Sequence, residues 1–341
     1  MSEMKPEALR KQLKNGDVGL CYLLYGKERY LAEHYRRELR KAVLGAADDP
    51  FNLRQLEGKD LDLRDLADAL DAYPSFAQRA LVEVRDYDIF KLPEEEYLKL
   101  LELLRDLPDY CCLLFVYEAL DFKPDKRKKK LWDGLKSCAS VVEFPLQGQG
   151  ELSRWITRHF AARGKEISAE DASYLIFLCG SEMEILANEI GKIALYASGK
   201  RIAREEIDAV AVPAVEAQTY KLADAISAKE YDRAAELMFK LFQLNTEPIA
   251  INAAIGSQLR RLYAARLVKA AGGNAETLSQ LIPSGSEYAC RQYLRICNSF
   301  PESWYLRMIR LSAETDLRMK SSPEDPEDLL RSLFVTMAAE A

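Results

Sequence analysis

Residues 61–88, LDLRDLADALDAYPSFAQRALVEVRDYD, read as an amphipathic helix, a corner and a buried strand. Leu63, Leu66, Ala67 and Leu70 recur at i, i+3, i+4 and i+7, with Asp62, Arg64, Asp65, Asp68 and Asp71 between them. That spacing gives a helix one apolar stripe, which lies against a core. Pro74 disfavours helical backbone at Tyr73 and ends the helix. Leu81, Val82 and Val84 then carry strand character. The corner between the two elements holds Tyr73, Pro74, Ser75 and Phe76. Two aromatics beside a proline suit burial or docking better than a solvated loop. The stretch alone leaves both readings of Phe76 open: tucked under the sheet, or turned toward a partner.

Around this stretch, from Gly19 to Phe144, strand-like and helix-like segments alternate, the mark of a parallel α/β sheet. Strands are predicted at 20–25, at 51–56, after the corner, at 111–117 (CCLLFVY) and at 141–144. Helices are predicted at 30–43, at 94–105 behind Pro93, and at 125–136, the last of them basic. Five strands with intervening helices make a three-layer, nucleotide-binding-like domain. Beyond Pro145 no strand-like run recurs and the chain reads as helical to its end. Gly148 and Gly150 have the character of a hinge. Ser168 with Asp171, and Ser181 with Glu184, are spaced as capping boxes. With helices at 151–162 and 204–210 they form a small module ending near Pro213. From residue 216 onward five to seven further helices are expected, separated by turns at 245–248, 272–274, 283–285 and 321–326. The expected division is therefore an α/β domain over 1–145, a helical module over 146–213 and a helical bundle over 214–341.

A length of 341 residues suggests two or three domains, and 48% hydrophobic with 30% charged residues is ordinary for a soluble globular chain. No apolar run is long enough to cross a bilayer, and residues 1–17 lack the apolar core of a signal peptide, so the cytoplasm is the expected location. Cys21, Cys111, Cys112, Cys138, Cys179, Cys290 and Cys297 are odd in number and show no CxxC spacing. They read as reduced core residues, with neither disulfide nor zinc site expected. A net charge of −6 argues against a general electrostatic grip on nucleic acid, leaving only local basic patches to meet phosphate.

The most informative chemistry is missing. A phosphate-cradling loop belongs after the first strand of such a domain, and it needs several glycines and a Lys-Ser or Lys-Thr pair. The turn here is Tyr25-Gly26-Lys27-Glu28-Arg29, with one glycine and an acid in the hydroxyl position. The strand after the corner runs into Arg85-Asp86, without the Asp-Glu pair that holds magnesium and positions water. His34 and His159, the two histidines, have no partner at metal spacing. No triad signature appears, and no catalytic residue, cofactor or metal ligand is assigned. The run Lys126, Arg127, Lys128, Lys129 and Lys130 is either a solvated helix face or a contact to DNA or a neighbouring subunit. Arg260, Arg261, Arg266 and Lys269 form a second basic cluster that suits a helix interface as well as DNA.

The order of these pieces resembles the delta subunit of the bacterial DNA polymerase III clamp loader, over nearly the whole chain. LLYGKERYLAEHYRREL is similar to that family's degenerate first turn, with Tyr25-Gly26 and Glu28, and YPSFAQRALVEVRDYD to its proline-aromatic corner, with Arg79 before the strand. KPDKRKKKLWDGLKSCASVVEF resembles the basic helix and last strand. GSEMEILANEIGKIALY, centred on Asn188-Glu189-Ile190, resembles the second-domain signature; EPIAINAAIGSQLRRLYAAR and ETDLRMKSS resemble third-domain helices. The family corner often carries two adjacent bulky apolar residues, whereas Ser75 precedes Phe76 here.

The resemblance implies an AAA+-like domain with an empty nucleotide site over 1–145, a helical lid over 146–213 and a helical collar over 214–341. It implies a non-catalytic subunit of the DNA polymerase III holoenzyme that grips and opens the sliding (beta) clamp through Tyr73, Pro74, Ser75 and Phe76. Gamma/tau-type and delta-prime-type subunits would bind through the collar and hydrolyse the ATP, and primed DNA would be met within the complex. The alternatives are an active AAA+ ATPase, which the missing Lys-Ser/Thr disfavours, and a stand-alone DNA-binding protein, which the net charge disfavours.

Overall fold

Cys21–Gly26 (β1), Ala80–Arg85 (β3) and Cys111–Val116 (β4) are buried almost throughout, and a strand buried on both faces needs a layer on each side. The computed structural model supplies both. It describes residues 3–45, 49–214, 229–243, 246–282 and 287–340, together with 217, 218, 221, 222, 225 and 226. With Leu53–Glu57 (β2) and Ser140–Phe144 (β5), these strands form a five-stranded, all-parallel sheet in the order β2-β3-β4-β1-β5. Pro6–Lys14 (α1) and Arg29–Leu44 (α2) cover one face, packing Leu9, Tyr35, Leu39 and Val43 on Tyr22, Leu24, Leu81 and Leu114. Leu63–Asp71 (α3), Glu94–Arg105 (α4) and Lys129–Cys138 (α5) cover the other, packing Leu66, Leu70, Leu100, Leu104 and Leu135 on Leu23, Val82, Val84 and Leu113. The α/β domain expected from the alternation is thus present.

The α2 face also buries charge. Glu83, at the middle of β3 and 0% exposed, accepts hydrogen bonds from Arg36 Nε (3.0 Å) and Nη2 (2.6 Å) and from Arg40 Nε (3.0 Å) and Nη2 (3.0 Å). Gln55 Nε2 adds a bond at 3.2 Å. Arg36 is further held by Glu33, at 3.0 Å, and by Glu118. Burial pushes the Glu83 carboxyl up, but the hydrogen bonds and charge of Arg36, with Arg40 and Gln55, outweigh it and leave the group below its ordinary value.

The chain divides into two compact units, Met1–Gln147 and Gly148–Ala341. The second unit comprises Gln149–Ala161 (α6), Ala169–Cys179 (α7), Met183–Tyr196 (α8), Arg204–Val210 (α9), Tyr231–Gln243 (α10), Pro248–Ala270 (α11), Ala275–Leu281 (α12), Glu287–Ile296 (α13), Glu302–Ser321 (α14) and Pro326–Ala339 (α15) among the described residues. Ser168 caps α7, its hydroxyl accepting from Asp171 N at 3.0 Å. Ser181 does not cap α8, which starts one residue later behind Glu182. Glu189, in the Asn188-Glu189-Ile190 stretch, accepts from Val212 N at 3.2 Å and pairs with Lys192 at 2.8 Å. The predicted turn at 283–285 lies outside the described residues.

Within this unit α11 and α14 meet closely. Asn252 Nδ2 donates to Ser312 O and Ser312 Oγ donates to Asn252 Oδ1, each at 3.0 Å and both residues buried. Gly256 permits the approach, because a Cβ there would lie 2.7 Å from Ser312 Oγ. In the second basic cluster, Arg266 donates to Asn298 Oδ1 (3.1 Å) and Phe300 O (3.2 Å), and Lys269 to Leu294 O (2.9 Å). These two residues therefore serve the helix interface, closing carbonyls at and beyond the end of α13. None of the seven cysteines forms a disulfide, and six of them are buried. Burial pushes Cys111 up to about 11 and Cys112 up to about 12, values at which a thiol is inert near neutrality.

Candidate functional site

A parallel sheet of this order receives ligands outside the carboxyl ends of its strands, where the chain direction switches about β1. At that end the turn after β1 is short and tightly packed. Gly26 has φ +133°, and a Cβ on it would lie 2.3 Å from Phe144 O, so glycine is required to let β1 pass β5. Only Lys27 and Glu28 separate β1 from α2. Glu28 is buried at the helix start, and its amide donates to Phe144 O at 2.9 Å. Asp86 takes φ +54° and turns its carboxylate onto the loop after β4, accepting from the amides of Glu118 (2.8 Å), Ala119 (3.1 Å) and Leu120 (2.9 Å). On the α5 face, Tyr25 and Tyr117 are packed under Phe122, with ring centroids 5.3 and 4.1 Å away, and Trp132 lies 6.2 Å from Tyr25.

The aromatic corner sits at the opposite, amino-terminal end of the sheet. Phe76 is 108% exposed and Tyr73 76% exposed, so the burial reading of Phe76 does not hold. Phe76 also has φ +56°, a left-handed backbone that costs a non-glycine residue about 1–3 kcal/mol and persists only where its surroundings impose it. The surroundings do so from three directions. Arg54, on β2, donates to Ala69 O (2.9 Å), Ala72 O (3.0 Å) and Tyr73 O (3.3 Å), closing the carboxyl end of α3. Tyr110, just before β4, stacks on Tyr73 at 4.5 Å and donates its hydroxyl to Asp71 O at 3.0 Å. Asn52 grips Ser75 at both ends of its backbone: Oδ1 accepts from Ser75 N at 2.6 Å and Nδ2 donates to Ser75 O at 3.0 Å. Beyond Phe76, Arg79 donates to Val18 O at 3.1 Å.

The apolar pattern sets Phe51 and Asn52 inside the second strand. The strand instead begins at Leu53, and the two residues form a turn before it. Asp49 starts that turn by accepting from Phe51 N (2.9 Å) and Asn52 N (3.2 Å), and the Asn52 side-chain amide, followed by these backbone bonds, holds its carboxyl below the ordinary range. Phe51 is left 70% exposed. Asp49-Pro50 is a turn-initiating dipeptide and is the signal that marks the boundary. Asn52 and Arg54, the residues that brace the corner, carry no such signal.

The basic run is only partly free. Arg127 pairs with Asp125 at 3.2 Å and Lys128 donates to Phe90 O at 2.6 Å, while Lys129 and Lys130 are exposed at the start of α5. The Lys126 side chain lies outside the described ones. His34 and His159 lie against Tyr35 and Trp155, and among the described residues no cluster of three His, Cys, Asp or Glu could hold a metal. None of the described helices is long and apolar enough to cross a membrane.

These features define a nucleotide-binding-like α/β fold followed by an all-helical unit. Comparison with known proteins narrows the class. The family model for the delta subunit of DNA polymerase III matches residues 22–145, and the model for the C-terminal domain of that same subunit matches residues 216–337. Together they span most of the chain, which belongs to the DNA polymerase III delta-subunit family. The chain is similar to DNA polymerase III subunit delta of Bacillus subtilis (strain 168), 26% identical over 338 residues that cover 95% of this chain and 94% of that one. It is also similar to the probable DNA polymerase III subunit delta of Aquifex aeolicus (strain VF5), 22% identical over 308 residues, with coverages of 87% and 81%. The solved DNA clamp loader delta protein of Bacillus subtilis shares the fold, with a TM-score of 0.60 at 22% identity over 98% of this chain and 99% of that one.

Proposed function

We propose that this chain is the clamp-loader component that docks on the sliding clamp through Tyr73, Pro74, Ser75 and Phe76 and opens it for loading onto primed DNA. The observation that carries this reading is the corner itself: an aromatic ring held fully in solvent, on a strained and braced backbone, in a member of the delta-subunit family. A solvated loop needs neither the ring nor the bracing. A proline at 74 and fixed neighbours leave little entropy to lose on docking.

The protein binds no ATP of its own and transmits motion driven elsewhere in a DNA polymerase III clamp-loader complex. The short turn at Gly26–Glu28, whose amide is bonded to Phe144 O, supports that part, as does the occupied carboxylate of Asp86. Residues 1–145 act as an AAA+-like clamp-binding domain, 146–213 as a lid, and 214–341 as the collar that meets gamma/tau-type and delta-prime-type subunits. The run at 126–130 meets DNA or a neighbouring subunit, and the complex works in the cytoplasm. A titration of the full chain with the sliding clamp of the same organism tests the reading. Saturable clamp binding, unchanged by ATP and with no binding of a labelled ATP analogue to the chain alone, is expected. Saturable micromolar binding of the analogue, or no affinity for the clamp, would overturn it.

A further inference from the structure

The corner's backbone is as unusual as its exposure, and of the three side chains that brace it only Asn52 bonds the residue next to Phe76. Asn52 is 3% exposed, and both ends of its amide are engaged: Oδ1 takes the Ser75 N–H at 2.6 Å, while Nδ2 donates to Ser75 O at 3.0 Å and to Asp49 Oδ2 at 2.8 Å. Two bonds to the N–H and C=O of Ser75 fix the peptide groups on both sides of it, as a strand partner would. The next residue is Phe76, at φ +56°. We infer that Asn52 is a positioning residue of the docking surface, holding Phe76 in the left-handed backbone from which its ring meets the clamp; the inference rests on the clamp-docking reading above.

The side-chain chemistry is restrictive. Aspartate keeps the acceptor but cannot donate to Ser75 O, and it would set a second carboxylate against Asp49. Glutamine is a methylene longer and displaces both ends of the grip. A non-glycine residue freed to follow its own preference takes positive φ only a few per cent of the time. If docking requires that backbone, releasing Ser75 lowers the competent fraction to a few per cent and weakens the apparent Kd by about 20- to 50-fold. The loss falls mainly on the association rate, because the docked contacts themselves are unchanged.

A double-mutant cycle on the full chain tests this, with clamp affinity, association rate and melting temperature measured for Asn52→Ala, Phe76→Ala and both together. Expected are a roughly 20- to 50-fold weaker Kd for Asn52→Ala, carried by slower association, and a double variant no weaker than Phe76→Ala alone. Asn52→Ala binding like wild type while Phe76→Ala fails, or losses that multiply in the double variant, would overturn the role of Asn52 and leave Phe76 as the anchor. Normal binding by Phe76→Ala would overturn the docking reading itself and this inference with it. If Asn52→Ala does not fold, Asp49→Ala, which leaves the Asn52 side chain in place but removes its Nδ2 brace together with the Asp49 bonds to Phe51 N and Asn52 N, replaces it, and a slower association rate is again expected.

Discussion

Glu83 lies mid-strand in β3 with both oxygens taken by Arg36 and Arg40, and nothing in ALVEVR distinguishes it from a glutamate on a solvated face. Removing one partner of a buried ion pair typically costs about 3–5 kcal/mol, because the remaining charge is left uncompensated. Glu33 and Glu118 still hold Arg36, which places Glu83→Gln near the lower end of that range. The carboxyl is depressed in the folded chain, so its contribution is fully present above the unfolded value near 4.3 and is lost as pH falls through the lower folded value. Denaturant unfolding of wild type and Glu83→Gln at several pH values should show a stability gap that is widest at neutrality and narrows below about pH 4. A gap that stays constant across that range would mean the pair does not stabilise the fold. Phe76 is the other residue whose setting the sequence leaves open. Its corner is legible from Pro74, but its left-handed backbone depends on Asn52, some two dozen positions away, and no local pattern encodes such a contact.

Helices and strands are legible where periodicity and burial agree. The segment 94–105 is legible to the residue, because Pro93 fixes its start and its apolar spacing fixes its face. The second strand starts later than its apolar run suggests, because Phe51 extends the run although Asp49 turns the chain at that point. Seams between helices are not legible at all. Asn252 and Ser312 read as ordinary polar positions, yet they bond each other across α11 and α14 where Gly256 allows close approach. Asn252→Ala should leave Ser312 without its partner and cost about 1–3 kcal/mol, read as an earlier melting transition of the helical unit. An unchanged melt would show that water replaces the asparagine freely.

On the scale of the molecule, the α/β unit has two ends with different fates. At the carboxyl end of the sheet, the turn after β1 is short, its amide is bonded to Phe144 O, and Asp86 braces a loop. At the amino end, α3 and β3 are pinned by Arg54, Asn52 and Tyr110 so that Tyr73 and Phe76 stand in solvent. Under the proposed function, docking falls to the second end and no nucleotide chemistry to the first. If Phe76 is an interface anchor, one variant measured two ways shows it. An anchor at an interface centre is typically worth about 2–4 kcal/mol, a loss of roughly 30- to 1000-fold in affinity. A core phenylalanine truncated to alanine instead costs about 3–5 kcal/mol of stability. Phe76→Ala in the full chain should melt within a few degrees of wild type, as a surface change of less than about 0.5 kcal/mol would, and should lose clamp binding by at least about 30-fold. A much earlier melt, or clamp affinity equal to wild type, would contradict the anchor role of Phe76.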